Sequence, residues 1–415
     1  LKNQQALTLL FTANAISGFA QGVSMLAIPW YFAKQDLSSS FNLIFASVTF
    51  VNIFWGLFAG TLVDRFNRKR LFLTTNAVEG TILILVAAYG WMNGGLGLTP
   101  IVMVFAITVF GYRMHYPNLY AFVQEISSPE HYTRVTSYIE IVGQATNVLA
   151  GALAVILLEG IDLMLPWGWH LQIEAWSIYE IFTLDAFTYL ISVAIIYFIR
   201  YVLDKVFEID KGRLRDRLRI GFSFLREHPR VFIFGFFTHS IFVVMLVSLF
   251  TVMPMYITNY LQVGGEVFGG MEVVYGLGAL TAGVFMGNWA RNRSKAKVII
   301  VLMFVTTVVL ALCAVIRFVP YYFLTGLIIG FTNAGTRILR VSYLFDHVPN
   351  KVIGRVNSVF SVMNIIMRVI FTLIFSLTFF AQETNITFAY LIMGAFTLVS
   401  GWILYYNFGR KSVAT

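Results

Sequence analysis

Long apolar runs separated by short polar breaks dominate the chain. Twelve runs can be read, at 6–33, 40–63, 71–93, 99–124, 134–158, 178–203, 231–259, 268–290, 297–318, 320–344, 353–379 and 386–408. Each has about 20 to 28 residues, enough to cross a bilayer with some tilt. The runs are apolar on every side, which predicts helices, because a backbone in lipid must satisfy its polar groups within the segment. Strands of a membrane barrel would instead alternate over about 10 residues. The fold class expected is an all-α membrane protein with twelve transmembrane helices in two six-helix bundles.

Basic residues orient these spans. The loop after span two holds Arg65, Arg68, Lys69 and Arg70. The stretch after span six holds Lys205, Lys211, Arg213, Arg215, Arg217, Arg219, Arg226 and Arg230. Further cations follow span eight (Arg291, Arg293, Lys295, Lys297) and span twelve (Arg410, Lys411), whereas the opposite loops carry only Lys34 and Arg317. Positive charge marks the cytoplasmic side, so both termini are expected there. The cell (inner or plasma) membrane is the expected location.

The domain boundaries expected are 1–203, a linker at 204–229 and 230–415. Leu214, Leu218, Ile220, Phe222 and Leu225 lie among arginines in the linker, the pattern of an amphipathic helix at the membrane surface. The halves also echo one another. Pro129 to Ser137 reads P-E-H-Y-T-R-V-T-S and Pro349 to Ser358 reads P-N-K-V-I-G-R-V-N-S, each before the fifth span of its half. Gly60 to Asp64 and Gly287 to Arg291 likewise end the second span of each half. Two echoes at a common offset support a duplicated six-helix unit. The outer stretch 159–177, with Trp167, Trp169 and Trp176, breaks the symmetry and is expected to be a short interfacial anchor.

Composition narrows the function. Of 415 residues, 58% are hydrophobic and 12% charged, against about 25% charged in soluble domains. The net charge of +9 is concentrated in the cytoplasmic loops, so no nucleic acid is expected as partner. Cys313 is a single cysteine and no H-E-x-x-H pair occurs, so neither a disulfide, a metal site nor a cofactor is expected. A Gly-rich phosphate loop ending in Lys-Ser or Lys-Thr is absent from the sequence, which argues against ATP as the driving force. The protein is expected not to be an enzyme, since no nucleophile and base cluster at one depth. The forty phenylalanines suit either a greasy cavity or a lipid-facing surface.

Gly60-Thr61-Leu62-Val63-Asp64-Arg65-Phe66-Asn67-Arg68-Lys69-Arg70-Leu71 resembles the major facilitator motif G-x-L-x-D-R-x-G-R-K-x-x-L. It departs at Asn67, an asparagine typical of the macrolide-efflux-like branch of drug exporters. Met114-His115-Tyr116-Pro117-Asn118-Leu119 and Gly221-Phe222-Ser223-Phe224-Leu225-Arg226-Glu227-His228-Pro229 are similar to further stretches of that branch. The resemblance covers the whole chain and implies alternating access by two bundles about a central cavity. It implies a conformational latch formed by Gly60, Asp64, Arg65, Arg68 and Lys69. Antiporters of this superfamily carry G-x-x-x-G-P-x-x-G-G on span five; here Gly143 and Gly151 are present without the proline. Antiport is therefore implied by the branch and not by that helix.

Ionisable groups inside spans cost roughly 2.5 to 3.5 kcal/mol on insertion scales, so each is a site candidate. Arg113 in span four and Glu140 in span five come to similar depth when counted from their common loop. They form the expected proton-coupling pair, broken whenever Glu140 takes a proton; the alternative is a permanent structural ion pair. Glu79 and Asp185 fall on peripheral spans, where a local pair or hydrogen bond is the expected role. Arg337 and Arg340 are expected to snorkel at the cytoplasmic end of span ten. Asn14, Gln21, His115, Gln144, Asn147 and His239 are the cavity and substrate candidates. The partners implied are an amphiphilic small molecule of macrolide or siderophore type, protons and membrane lipids. A lipid or lysolipid flippase on the same fold is the alternative, with a metal-ion exporter or a non-transporting receptor behind it.

Overall fold

The computed structural model describes residues 3–127, 132–164, 170–202, 214–290 and 293–409; the side chains of Gly60, Asp64, Arg65, Glu140 and Gln144 lie outside that description. The first series of helices is α1 (Gln4–Lys34), α2 (Ser38–Arg65), α3 (Arg68–Asn93), α4 (Leu98–Ile126), α5 (Tyr132–Glu159) and α6 (Ile178–Phe198). The second begins with α7 (Leu214–Glu227). One segmented crossing follows, from α8 (Pro229–Thr238) and α9 (Ser240–Val247) through α10 (Met253–Met255) to Leu261. Then come α11 (Gly265–Ala290), α12 (Lys295–Cys313), α13 (Val319–His347), α14 (Asn350–Phe375), α15 (Thr378–Ala381) and α16 (Thr387–Leu404).

Among the described residues, ten helices are long and apolar enough to cross a membrane. The 28-residue α5 and the 29-residue α13 complete twelve by length. The all-α expectation holds, with one local exception. Where a short interfacial segment was expected, β1 (Ile161–Met164) and β2 (His170–Ile173) pair antiparallel, Ile161 opposite Ile173. Trp167 and Trp169 lie outside the described residues; Trp176 closes the loop by donating its backbone N–H to Leu157 O at 2.7 Å.

Local chemistry sets the helix ends. Asn67 caps α3, its side chain accepting from Arg70 N at 3.1 Å, a typical N-cap interaction. The asparagine that departs from the family glycine thus has a helix-starting role. Ser177 and Glu180 form a capping box at the start of α6. Pro229 opens α8, where its missing N–H costs nothing. The crossing is π-helical at Ser248–Val252 and again at Tyr256–Leu261, a geometry frequent at functional sites.

The fold divides into two compact units, Leu1–Tyr31 with Val51–Lys211, and Phe32–Phe50 with Gly212–Thr415. The core of the first gathers Leu10, Phe72, Leu119, Phe122 and Ile139. The core of the second gathers Phe234, Ile241, Met286, Met303 and Leu404. The beginning of α2 belongs with the second unit, where Asn42 Nδ2 donates to Phe375 O at 3.3 Å. Large side chains such as Leu85, Phe187, Phe198 and Trp402 are exposed, as a lipid-facing surface requires and a watery one forbids.

The linker helix is not a free membrane-surface element. Leu225 is buried with Val231, Leu344, Val356 and Phe360, and Leu218 packs beside them, while Phe222 and Ile220 stay exposed. Gly221 makes this docking close: a Cβ there would fall 2.5 Å from Arg355 O on α14. Phe224 stacks on His228 with ring centroids 4.1 Å apart. The Gly-Phe-His-Pro pattern is therefore a packing signature. Replacing Gly221 with valine is expected to push α7 off α14 and cost about 1–3 kcal/mol, as overpacking does. Thermal unfolding of the purified protein checks this, and an unchanged midpoint would mean that α7 does not bear on α14.

Candidate functional site

The interior of the first unit carries polar groups from four helices. Arg113 of α4 is half-buried, with its Cδ and Nε 3.8 Å from the position of a Cβ at Gly56. Glycine at 56 leaves room for the guanidinium against α2. Two residues on, His115 Nε2 and Asn14 Oδ1 of α1 are 2.6 Å apart, and the imidazole meets the Phe72 ring edge-on at 5.3 Å. Tyr116 stacks with Tyr112 at 5.8 Å, and its hydroxyl lies 3.8 Å from a Cβ position at Gly143 of α5. That contact brings α4 to α5 one turn from Glu140, whose side chain lies outside the described residues. Because α4 and α5 run antiparallel, the Arg113 and Glu140 positions lie one turn to either side of that contact.

The remaining sequence candidates divide. Asn14 and His115 face one another; Gln21 is tied to Tyr189 Oη at 2.8 Å. Asn147 is exposed, and Gln144 falls outside the described side chains. In the second unit, His239 sits at the break between α8 and α9. Its Nδ1 is 2.6 Å from Gly235 O, and its ring lies 5.7 Å from that of Phe360. Phe236, Ser240, Asn364, Met367 and Phe396 complete a small cavity around it.

Arg340 corrects one expectation. It does not snorkel: it is 7% exposed, and Nη1 donates to Thr238 O at 3.1 Å. The break after Thr238 frees that carbonyl from the helix ladder, and a guanidinium satisfies it. Glu272 on α11 is a carboxylate that the sequence reading passed over. It lies a turn from Tyr275, whose hydroxyl accepts from Asn333 Nδ2 of α13 at 2.7 Å. The rule that every intramembrane charge is a candidate would have found it. A tyrosine cluster was also missed, because aromatic residues are ubiquitous in such chains. Tyr256 donates to Cys313 O at 2.7 Å, Tyr322 and Tyr390 hydroxyls are 2.6 Å apart, and all three rings are buried.

Of the expected latch residues, Gly60, Asp64 and Arg65 have side chains outside the description. Arg68 Nη1 donates to Phe66 O at 3.0 Å. Lys69 Nζ donates to Tyr197 O and Ile199 O, both at 2.8 Å, at the C-terminus of α6. A cation there meets both the dipole and the orphan carbonyls. On the second unit Lys295 pairs with Asp346, and that hydrogen bond holds the Asp346 carboxyl below the usual carboxylate range. Among the described residues no cluster of three potential metal ligands occurs. Lys69→Met is expected to destabilise the protein by about 1 kcal/mol through loss of the α6 cap. Thermal unfolding measures it, and a stability equal to wild type would confine Lys69 to a role other than capping.

Comparison with known proteins agrees with this architecture. The family model of the Major Facilitator Superfamily matches residues 10–372 and 247–414. The multidrug efflux pump Tap of Mycobacterium tuberculosis (strain ATCC 25618 / H37Rv) is 29% identical over 102 residues, 24% of each chain. The chain thus matches about a quarter of the length of that curated relative. Among solved structures, a D-xylose-proton symporter superposes with a TM-score of 0.70 at 13% identity, covering 96% of both chains. The nucleoside transporter NupG gives 0.71 at 11% identity, covering 98% of this chain and 100% of that one. A bacterial metal transporter gives 0.64 at 13%, covering 99% of this chain and 100% of that one. These structural likenesses speak to the fold alone. Twelve helices in this order, the motif that precedes α3 and the family match lead to one conclusion: the chain is a membrane transporter belonging to the Major Facilitator Superfamily.

Proposed function

We propose that this transporter exports hydrophobic or amphiphilic small molecules, of macrolide or siderophore type, in exchange for protons. The observation that carries the reading is the similarity to a multidrug efflux pump, joined to the resemblance of the loop before α3 to the drug-exporter motif. The proposed location is the cell membrane, with both termini in the cytoplasm, as the positive-inside distribution of Lys and Arg supports.

Alternating access about a central cavity would bring the compound from the cytoplasmic side to the outside. Glu140 on α5 is the proposed proton carrier and Arg113 its charge partner. Anionic Glu140 is stabilised by the guanidinium and neutral Glu140 is not, so protonation frees Arg113 and changes how α4 and α5 hold together. The latch role of Gly60, Asp64, Arg65, Arg68 and Lys69 belongs to the same proposal. Asn14, Gln21, His115, Gln144, Asn147 and His239 are the proposed polar contacts for the compound.

Proteoliposomes test it. Macrolides, siderophores and lysolipids are presented to the wild type and to Glu140→Gln, and internal pH is followed. Compound-dependent proton movement in the wild type, abolished in Glu140→Gln, is the expected result. Transport of a compound with no proton movement would remove the coupling mechanism. Movement of labelled lipid with no movement of any soluble compound would replace export by flipping.

A further inference from the structure

Two carboxylates lie inside the first unit with no cation facing them among the described residues. Glu79 of α3 is 7% exposed and Asp185 of α6 is 0% exposed. The Glu79 carboxylate is seated on Gly111 of α4, where a Cβ would come 2.1 Å from Oε1. Tyr189 donates its hydroxyl proton to Glu79 Oε2 at 2.5 Å and accepts from Gln21 Nε2 at 2.8 Å. Glu79 is thus held by a donor that is itself anchored to α1.

Asp185 has a different environment one turn earlier on α6. Neither of its carboxylate oxygens has a hydrogen bond of good geometry; the Ser24 hydroxyl of α1 lies beside them as a poorly aligned donor. The groups that face the pair are Gln21 and Ser24 from α1, Tyr112 from α4 and Tyr189 from α6. All are neutral. Of the neighbours on α4, Arg113 lies against Gly56 of α2 and His115 meets Asn14 of α1.

The electrostatics set the order in which the two groups ionise. An isolated charge at this depth is costly, and a second like charge beside it adds repulsion that no solvent screens. Two anions without a cation are therefore strongly disfavoured, and the pair holds its last proton until the pH is raised. Glu79 receives the short Tyr189 hydrogen bond that stabilises its anion, whereas Asp185 has only the poorly aligned Ser24 hydroxyl beside it, so Asp185 is the later of the two to give up its proton. Its release would be a simple dissociation, Asp185 carboxylic acid to carboxylate with the proton passing to water. We propose that Glu79 and Asp185, linked to α1 through Tyr189 and Gln21, form an exchangeable proton-binding site separate from Glu140.

The full chain reconstituted in lipid is titrated while the carboxylic-acid carbonyl stretch is followed by infrared difference spectroscopy. A titrating band that shifts in heavy water is expected in the wild type and in Glu140→Gln, and is expected to be lost in Asp185→Asn. Tyr189→Phe keeps the ring that packs on α3 but removes the donor to Glu79. Its titration is expected to move to higher pH, because the anionic form of the pair loses a stabilising hydrogen bond. Identical spectra for wild type, Asp185→Asn and Tyr189→Phe would overturn the proposal. So would a band that never titrates while the protein stays folded, since the proton would then be structural. The readout needs no transported compound, so it stands or falls independently of the Glu140 mechanism.

Discussion

Lipid offers no hydrogen bonds, and every polar group of a membrane-spanning helix must find its partner inside the protein. That constraint accounts for most of what the two units share. Hydroxyls turn back onto their own helices, as Ser17 does to Ala13 O, Thr306 to Leu302 O and Ser400 to Phe396 O. Larger polar groups reach across: Asn76 to Ser192, Asn333 to Tyr275, and Tyr256 to Cys313 O. The charged groups obey the same rule by more demanding routes. Arg340 takes the carbonyl left open at the Thr238 break, and Lys69 takes the last carbonyls of α6.

In two places the rule is met only in part. Asp185 lacks a hydrogen bond of good geometry, and Glu79 is held by the Tyr189 hydroxyl. The segmented crossing in the second unit breaks its ladder at His239 and is π-helical on either side of α10. The tyrosines Tyr256, Tyr322 and Tyr390 fill the space beside that irregular backbone, with ring centroids of 4.8 Å from Tyr256 to each of the others. A rigid aromatic cluster next to a π-helical stretch lets the backbone depart from regularity without a void.

Several candidate features were legible in the chain before any packing was known. Arg113 and Glu140 stand out as charges within apolar runs, and the loop from Gly60 to Leu71 carries a family motif. The amphipathic linker helix was also legible, but the surface it covers was not. Amphipathic periodicity says that one face is apolar and not whether lipid or protein meets it; Leu225 goes to Val356 and Phe360. The hairpin Ile161–Ile173 escaped notice because tryptophans and a proline there gave an interfacial signal stronger than the alternation of two four-residue strands.

The sequence by itself determined the solvent, the number of crossings, the family motif and the side on which the cations gather. Each depends on residue type and on spacing along the chain, which lipid reads directly. Tertiary structure alone decided which polar groups meet. Glu79 and Tyr189 are separated by 110 positions, Gln21 and Tyr189 by 168, and Arg340 and Thr238 by 102. Such pairings follow from the rotation and depth of each helix against its neighbours. Those are set by close contacts such as Gly111 with Glu79 and Gly221 with Arg355, and no periodicity within a single helix encodes them.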